Sequence, residues 1–213
     1  MEGFDVSRFL MFLVAIVLGI TIHEFAHAWT ADRLGDDVPR SQGRVTLSPL
    51  AHLDPLGSLF MLISYFAGMG IGWGRPVQTN PNNYQKIDRR LGHSLVTIAG
   101  PVSNLILAAL FALLLRSGVI PIGDAYDVLL LRIIWINLLL FFFNLIPLYP
   151  LDGAHLLANA LPRGMSESYY RFMAQWGILV FLLLAMTGLL GDLIAPPALS
   201  LFVWFNGRFP FGA

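Results

Sequence analysis

Four stretches of this chain are long and apolar enough to constrain everything else: Phe9–Trp29, Leu95–Leu115, Val128–Leu148 and Phe172–Leu190. Each is close to the ~20 residues that a helix needs to cross the hydrocarbon of a bilayer. Composition argues against a soluble alternative. Of 213 residues, 56% are hydrophobic and only 12% are charged, whereas a soluble domain carries about 25% charged residues. Lipid is the solvent such a surface needs. A fifth stretch, Leu56–Trp73, is interrupted by Gly57, Gly68, Gly70 and Gly72, which weaken a continuous helix. A sixth, Leu199–Phe205, is too short to cross unaided.

The N-terminal stretch carries Glu2 and Asp5 rather than a basic start, and no small-residue cleavage site follows it, so it reads as a retained span and not a signal peptide. Formal net charge is zero, which gives no reason to expect nucleic acid. Cysteine is absent, so any metal must be held by His, Asp or Glu. Two polar segments have strand character, Gly43–Leu47 and Trp73–Thr79, each with a β-branched centre next to Gly or Pro. They are expected to pair as a small β element. No soluble domain or repeat is visible, so residues 1–213 read as a single membrane-embedded domain.

Chemistry enters at the end of the first apolar stretch, where His23-Glu24-Phe25-Ala26-His27 spells HExxH. Residues four apart on a helix lie on one face a turn apart. Two imidazoles placed so can chelate one zinc, with the glutamate beside the metal to take a proton from water. The competing reading is an interfacial cluster facing headgroups. Ionisable groups at the end of an apolar span are costly, however, and point to function by default. A catalytic zinc uses three protein ligands and an open position. Asp152 offers the third, at the end of Asn144-Leu145-Ile146-Pro147-Leu148-Tyr149-Pro150-Leu151-Asp152-Gly153. Pro147 and Pro150 lack backbone donors, so the helix that carries them must kink or unwind. Irregular backbone at membrane depth is tolerated where it lines a cavity or is buried in protein. The alternative there is an ordinary helix end, with Asp152-Gly153 in a turn.

HExxH followed at a distance by Asn144-x-x-Pro147-x-x-x-Leu151-Asp152-Gly153 resembles the site-2 protease family of intramembrane zinc metalloproteases. Gly100-Pro101-Val102-Ser103-Asn104 resembles that family's Gly-Pro-x-x-Asn segment, and His52–Gly57 and Gly72–Val77 look like its short prokaryotic members. The likeness covers most of Ile16–Leu157, with no room for the PDZ or CBS domains that some members carry. It implies that His23, His27 and Asp152 ligate Zn2+ and that Glu24 is the general base, then the acid to the leaving amine. It also implies that Asn144 hydrogen-bonds substrate backbone near the scissile carbonyl. His155 is read as interfacial, with a role in orienting a ligand as the alternative. His52 and His93 are read as interfacial residues of polar loops. Gly100 and Pro101 are assigned to close helix packing. Asn104 is expected to tie spans together through its amide.

If the His pair and Asp152 share a metal, their spans must run in the same direction with the Leu95–Leu115 span opposed. Leu56–Trp73 then cannot cross and is expected to be re-entrant. Arg33, Arg40, Arg44, Arg75, Lys86, Arg89, Arg90, Arg163 and Arg171 fall on the side of the active-site ends, against Arg8, Arg116 and Arg132. The positive-inside rule then places the metal end in the cytoplasm. The expectation is an all-α polytopic membrane protein with about four to six membrane segments, including a re-entrant loop, and a small β element near the active site. It would sit in the lipid bilayer of a prokaryotic plasma membrane. It would hydrolyse peptide bonds in or near transmembrane helices of substrate proteins by zinc-activated water. The rival is a membrane zinc-binding protein or transporter that does not hydrolyse. Transporters usually show inverted repeats and paired broken helices, and here there is one broken helix and no repeat.

Overall fold

The computed structural model describes residues 5–66, 72–85, 87–119 and 125–207. In chain order the α-helices are α1 (Val6–Arg33), α2 (Val38–Ser41), α3 (Pro55–Phe66), α4 (Arg89–Arg116), α5 (Ala125–Asn144), α6 (Asp152–Ala160), α7 (Arg163–Met186) and α8 (Leu189–Asn206). Five of these, α1, α4, α5, α7 and α8, are long and apolar enough to cross a membrane. Their surfaces agree. Leu10 and Val14 of α1, Ile106, Leu110 and Leu113 of α4, and Ile178, Leu179, Leu182 and Leu183 of α7 are all exposed. Apolar side chains in such contiguous rows suit lipid rather than water. The protein is an all-α integral membrane protein.

The chain divides into two compact units, one of Val17–Ser103 and one of Met1–Ile16 with Asn104–Ala213. In the first, α1 stops at Arg33 because Gly35 turns at φ +103°, a conformation that L side chains rarely adopt. The Asp32 carboxylate then takes Arg40 in a two-pronged pair, at 2.7 Å for each prong. Asp36, fully buried, accepts the Asn80 amide at 2.6 Å and the Asn83 side chain at 2.9 Å. A small core of Ala31, Tyr84 and Val96 lies beneath, flanked by Leu34 and Ile87.

The second unit is built on α5, whose main packing partner is α8. Ala108 and Ala112 of α4, Leu131, Ile134 and Leu138 of α5, and Ala198 and Phe202 of α8 form its centre. Within it the Asn104 amide donates to Asn137 Oδ1 at 2.8 Å, and Asn137 donates on to the Ile133 carbonyl at 2.9 Å. Both side chains are fully buried, so Asn104 does join two helices through its amide.

The expected elements need three adjustments. Leu199–Phe205 belongs to a longer helix, because α8 begins at Leu189 and continues through Pro196 and Pro197. Gly43–Leu47 and Trp73–Thr79 are not paired as strands. Among the described residues the β element is one isolated antiparallel bridge, Leu53 to Gly74. A side chain competes there: the Val77 amide, inside the second segment, donates to Glu24 instead of to a strand partner. Finally, α3 covers the front of the expected re-entrant segment, whose residues 67–71 lie outside the described ones.

Candidate metal centre

His23 and His27 lie ten and six residues before the end of α1, so the helix runs on past them. Both are buried, at 7% and 8% exposure. Their Nε2 atoms stand 3.0 Å apart, with the rings nearly perpendicular. His27 Nδ1 donates to the Val96 carbonyl at 2.7 Å. That bond holds the proton on Nδ1 and leaves Nε2 as a lone-pair donor, the usual arrangement for a metal-ligating imidazole. One turn further along α4, Gly100 faces the same rings. A Cβ there would collide with His27 Nε2 and His23 Nε2. Gly100 therefore does serve close packing, and what it packs against is the imidazole pair.

Glu24 is held beside the pair by two groups. Its Oε2 accepts the Val77 N–H at 3.1 Å and lies 3.7 Å from Arg44 Nη2. Arg44 is buried and also donates to the carbonyl oxygen of Arg75. Burial pushes its guanidinium below the usual arginine range, the Glu24 charge opposes that, and Arg75 adds to it. Gly74 lies on the side of the other carboxylate oxygen, and a Cβ on it would press on Ile20 and the His52 carbonyl.

Asp152 is the first residue of α6. The helix carrying the expected break ends at Asn144, and residues 145–151 run as turns and bends that Pro147 and Pro150 permit. Gly153 lets this segment fold tightly, because a Cβ on it would strike the carbonyl oxygens of Leu145 and Ile146. Ile146, Leu148 and Leu151 pack with Leu190 and Ile194. Asn144 is half-buried and donates one amide proton to the Leu140 carbonyl at 3.0 Å.

The His23 and His27 Nε2 atoms stand 3.0 Å apart. Tetrahedral zinc ligands at 2.0–2.1 Å stand about 3.3 Å from one another, so this is the scale of one shared ion. Two imidazoles, with a glycine leaving space at their Nε2 atoms, supply part of a donor set suited to zinc.

Three histidines differ from the sequence reading or extend it. His52 is fully buried rather than interfacial, with Nε2 donating to the Thr46 carbonyl at 2.7 Å. Burial and Arg44 push its imidazole down, while the Thr46 bond and Glu24 oppose them; burial is the largest effect. His93 lies within α4, not in a loop. His155 is half-buried, with Nδ1 3.4 Å from the Tyr170 hydroxyl. The contacts of Arg44 and Val77 with Glu24 are not among the expectations from sequence. A signal for the first did exist, since a carboxylate in an apolar helix calls for a cationic partner.

The model of peptidase family M50 matches residues 116–187, the part of the chain that carries Asp152. Two bacterial relatives share the printed name "Putative zinc metalloprotease". One is YwhC of Bacillus subtilis, 38% identical over 200 residues, covering 88% of this chain and 85% of the relative. The other is Rip2 of Mycolicibacterium smegmatis, 29% identical over 185 residues, covering 85% of this chain and 69% of the relative. No solved structure matches. With its HExxH helix, its buried His pair and relatives aligned over most of their length, the chain belongs to peptidase family M50, the site-2 protease family of intramembrane zinc metalloproteases.

Proposed function

We propose that the chain hydrolyses peptide bonds in or near the transmembrane helices of other membrane proteins, using zinc held by His23, His27 and Asp152. The observation that carries this reading is the buried His23–His27 pair, its Nε2 atoms 3.0 Å apart, with Glu24 anchored on the same helix. Bound zinc would supply a Lewis acid that acidifies a water and polarises a carbonyl. Glu24 takes a proton from the attacking water as the water oxygen bonds to the scissile carbonyl carbon. Glu24 then passes that proton to the departing amide nitrogen as the C–N bond breaks. Asn144 has a second amide proton and a carbonyl oxygen beyond its bond to Leu140, and these serve to fix substrate backbone.

The reading places residues 1–213 in one metalloprotease domain, in a prokaryotic plasma membrane, with the metal end toward the cytoplasm. Its support is the excess of arginine and lysine flanking that end. A binding-only role gains nothing from a glutamate held between the Val77 amide and Arg44. The test is cleavage of a panel of membrane-spanning peptides in proteoliposomes by the native chain and by Glu24→Gln, with zinc per chain measured in both. Glu24→Gln is expected to keep its zinc and to lose turnover by several orders of magnitude. Undiminished cleavage would assign the base elsewhere. Full zinc content in His23→Ala/His27→Ala would remove the ligand assignment.

A further inference from the structure

Among the described residues, the Glu24 carboxylate is held through one oxygen. Oε2 receives the Val77 N–H at 3.1 Å and faces Arg44 Nη2 at 3.7 Å. Oε1 lies on the side of Gly74. Arg44 reaches this place from the turn after α2, and it is 3% exposed. The nitrogen that faces Glu24 also donates to the Arg75 carbonyl, so the guanidinium is anchored independently of the carboxylate. Arg75 and Val77 flank Pro76, and Arg75 is itself fixed by its N–H to the His52 carbonyl at 2.7 Å. One short stretch of backbone therefore holds Arg44 and donates to Glu24.

A guanidinium is costly to bury unless it is paired and hydrogen-bonded, and a surface-seeking arginine would have reached water from this loop. At 3.7 Å the pair is too long for a direct hydrogen bond and acts through charge. We propose that Arg44 is a positioning residue for Glu24. Together with the Val77 amide it fixes Oε2, which turns Oε1 toward the water and makes it the atom that takes the proton. The inference rests on Glu24 being the general base.

The test uses the full chain in proteoliposomes with a membrane-spanning peptide substrate. Arg44→Gly is expected to lower kcat on the order of 10²-fold, the usual cost of a reacting group displaced by about 1 Å. KM should stay within about twofold, and zinc per chain should not change. Added millimolar guanidinium should restore kcat by about tenfold or more, while sodium chloride at equal ionic strength should not. A kcat within about twofold of native, or a loss that guanidinium does not restore, overturns the proposal. Should Arg44→Gly fail to fold, Arg44→Gln keeps a donor for Arg75 and removes the charge, and native kcat in that variant overturns it equally. Glu24→Gln, measured in parallel, separates the two ideas. If it is inactive while the Arg44 variants are normal, only the positioning role falls. If it turns over normally, the base assignment falls first.

Discussion

His27 gives its Nδ1 proton to the carbonyl oxygen of Val96 at 2.7 Å, and this contact decides which face of the imidazole is left for a metal. Val96 and Gly100 are four residues apart on α4, hence on one face of it. A single stripe of that helix thus does two things to the ligand pair. A carbonyl at its first position sets the tautomer of His27, and a missing Cβ at the next leaves room for both rings. Neither contribution depends on a polar side chain.

Gly100→Ala follows from that arrangement. Helix propensity alone favours alanine by about 0.8–1.0 kcal/mol, so a purely local view predicts stabilisation. The added methyl would instead lie against both Nε2 atoms. We expect helical content to be unchanged and zinc affinity to fall by about 10–100-fold, as it does when the surroundings of metal ligands are disturbed. Competition with a chromophoric chelator measures it. Native affinity in Gly100→Ala would show that α4 yields at this point.

His52 gives the fold a pH dependence on the acid side. Burial, with a contribution from Arg44, holds its imidazole below the ordinary value, against the Thr46 hydrogen bond and Glu24. In the unfolded chain the ring takes a proton near the usual ~6.5; in the fold it does so only at lower pH. The unfolded state therefore binds more protons below ~6.5, and stability that is fully present above that pH is lost as pH falls beneath it. His52→Gln keeps a donor for the Thr46 carbonyl and removes the titration. Thermal midpoints measured between about pH 5 and 8 should fall less steeply in this variant. Identical profiles would relieve His52 of the role.

What could be read ahead of the structure divides along a physical line. The spanning helices and the HExxH pair are local patterns, and α1, α4, α5 and α7 lie where the hydropathy of the sequence puts them. Pro147 and Pro150 marked the end of α5 because a missing donor acts on its own helix. Arg44 was different. Its sequence neighbours Gly43 and Val45 suggest a strand, and its burial depends on Glu24, twenty residues away in the chain. Val77 posed the same difficulty, since an amide's partner leaves no mark in sequence. His52 looked interfacial for its polar neighbours, but its ring donates to the Thr46 carbonyl and Arg75 N–H closes onto its own carbonyl. The resemblance to a family pointed to His23, His27 and Asp152 as ligands, while the contacts around the His pair and Glu24 come from packing.

The Asn104–Asn137 bond should act as a coupled pair. Both side chains are fully buried, and the Asn104 amide donates to Asn137 Oδ1 at 2.8 Å. Replacing Asn104 by leucine removes this donor from Asn137 Oδ1, and replacing Asn137 removes this acceptor from the Asn104 amide. Interhelical hydrogen bonds in membranes give coupling energies of about 0.6 kcal/mol on average and up to about 1.7, and full burial places this pair in the upper part of that range. Unfolding of the two single variants and the double variant in mixed micelles yields the coupling. Strict additivity would mean that the contact contributes no specific stability.

The last prediction concerns α3. Its 12 residues extend about 18 Å at 1.5 Å per residue, well short of the ~30 Å of hydrocarbon. Leu56, Leu59, Phe60, Ile63 and Phe66 are exposed along one face, while Gly57, Met61 and Ser64 are buried on the other. A helix of this length with an apolar outer face fits one that enters lipid without crossing it. The entry is also tied down, since a Cβ on Gly57 would strike the Trp73 carbonyl and Gly74 bridges to Leu53. The start of α3 and the segment after it are therefore neighbours, and both belong on the same side of the membrane. The chain has no cysteine, so single replacements report cleanly. In sealed vesicles, Gln78→Cys treated with an impermeant maleimide marks the side of the extended segment. Phe66→Cys is expected to react from that side or from neither. Labelling of Phe66→Cys from the opposite face alone would mean that the segment crosses, and the helices after it would then be inverted relative to the His pair.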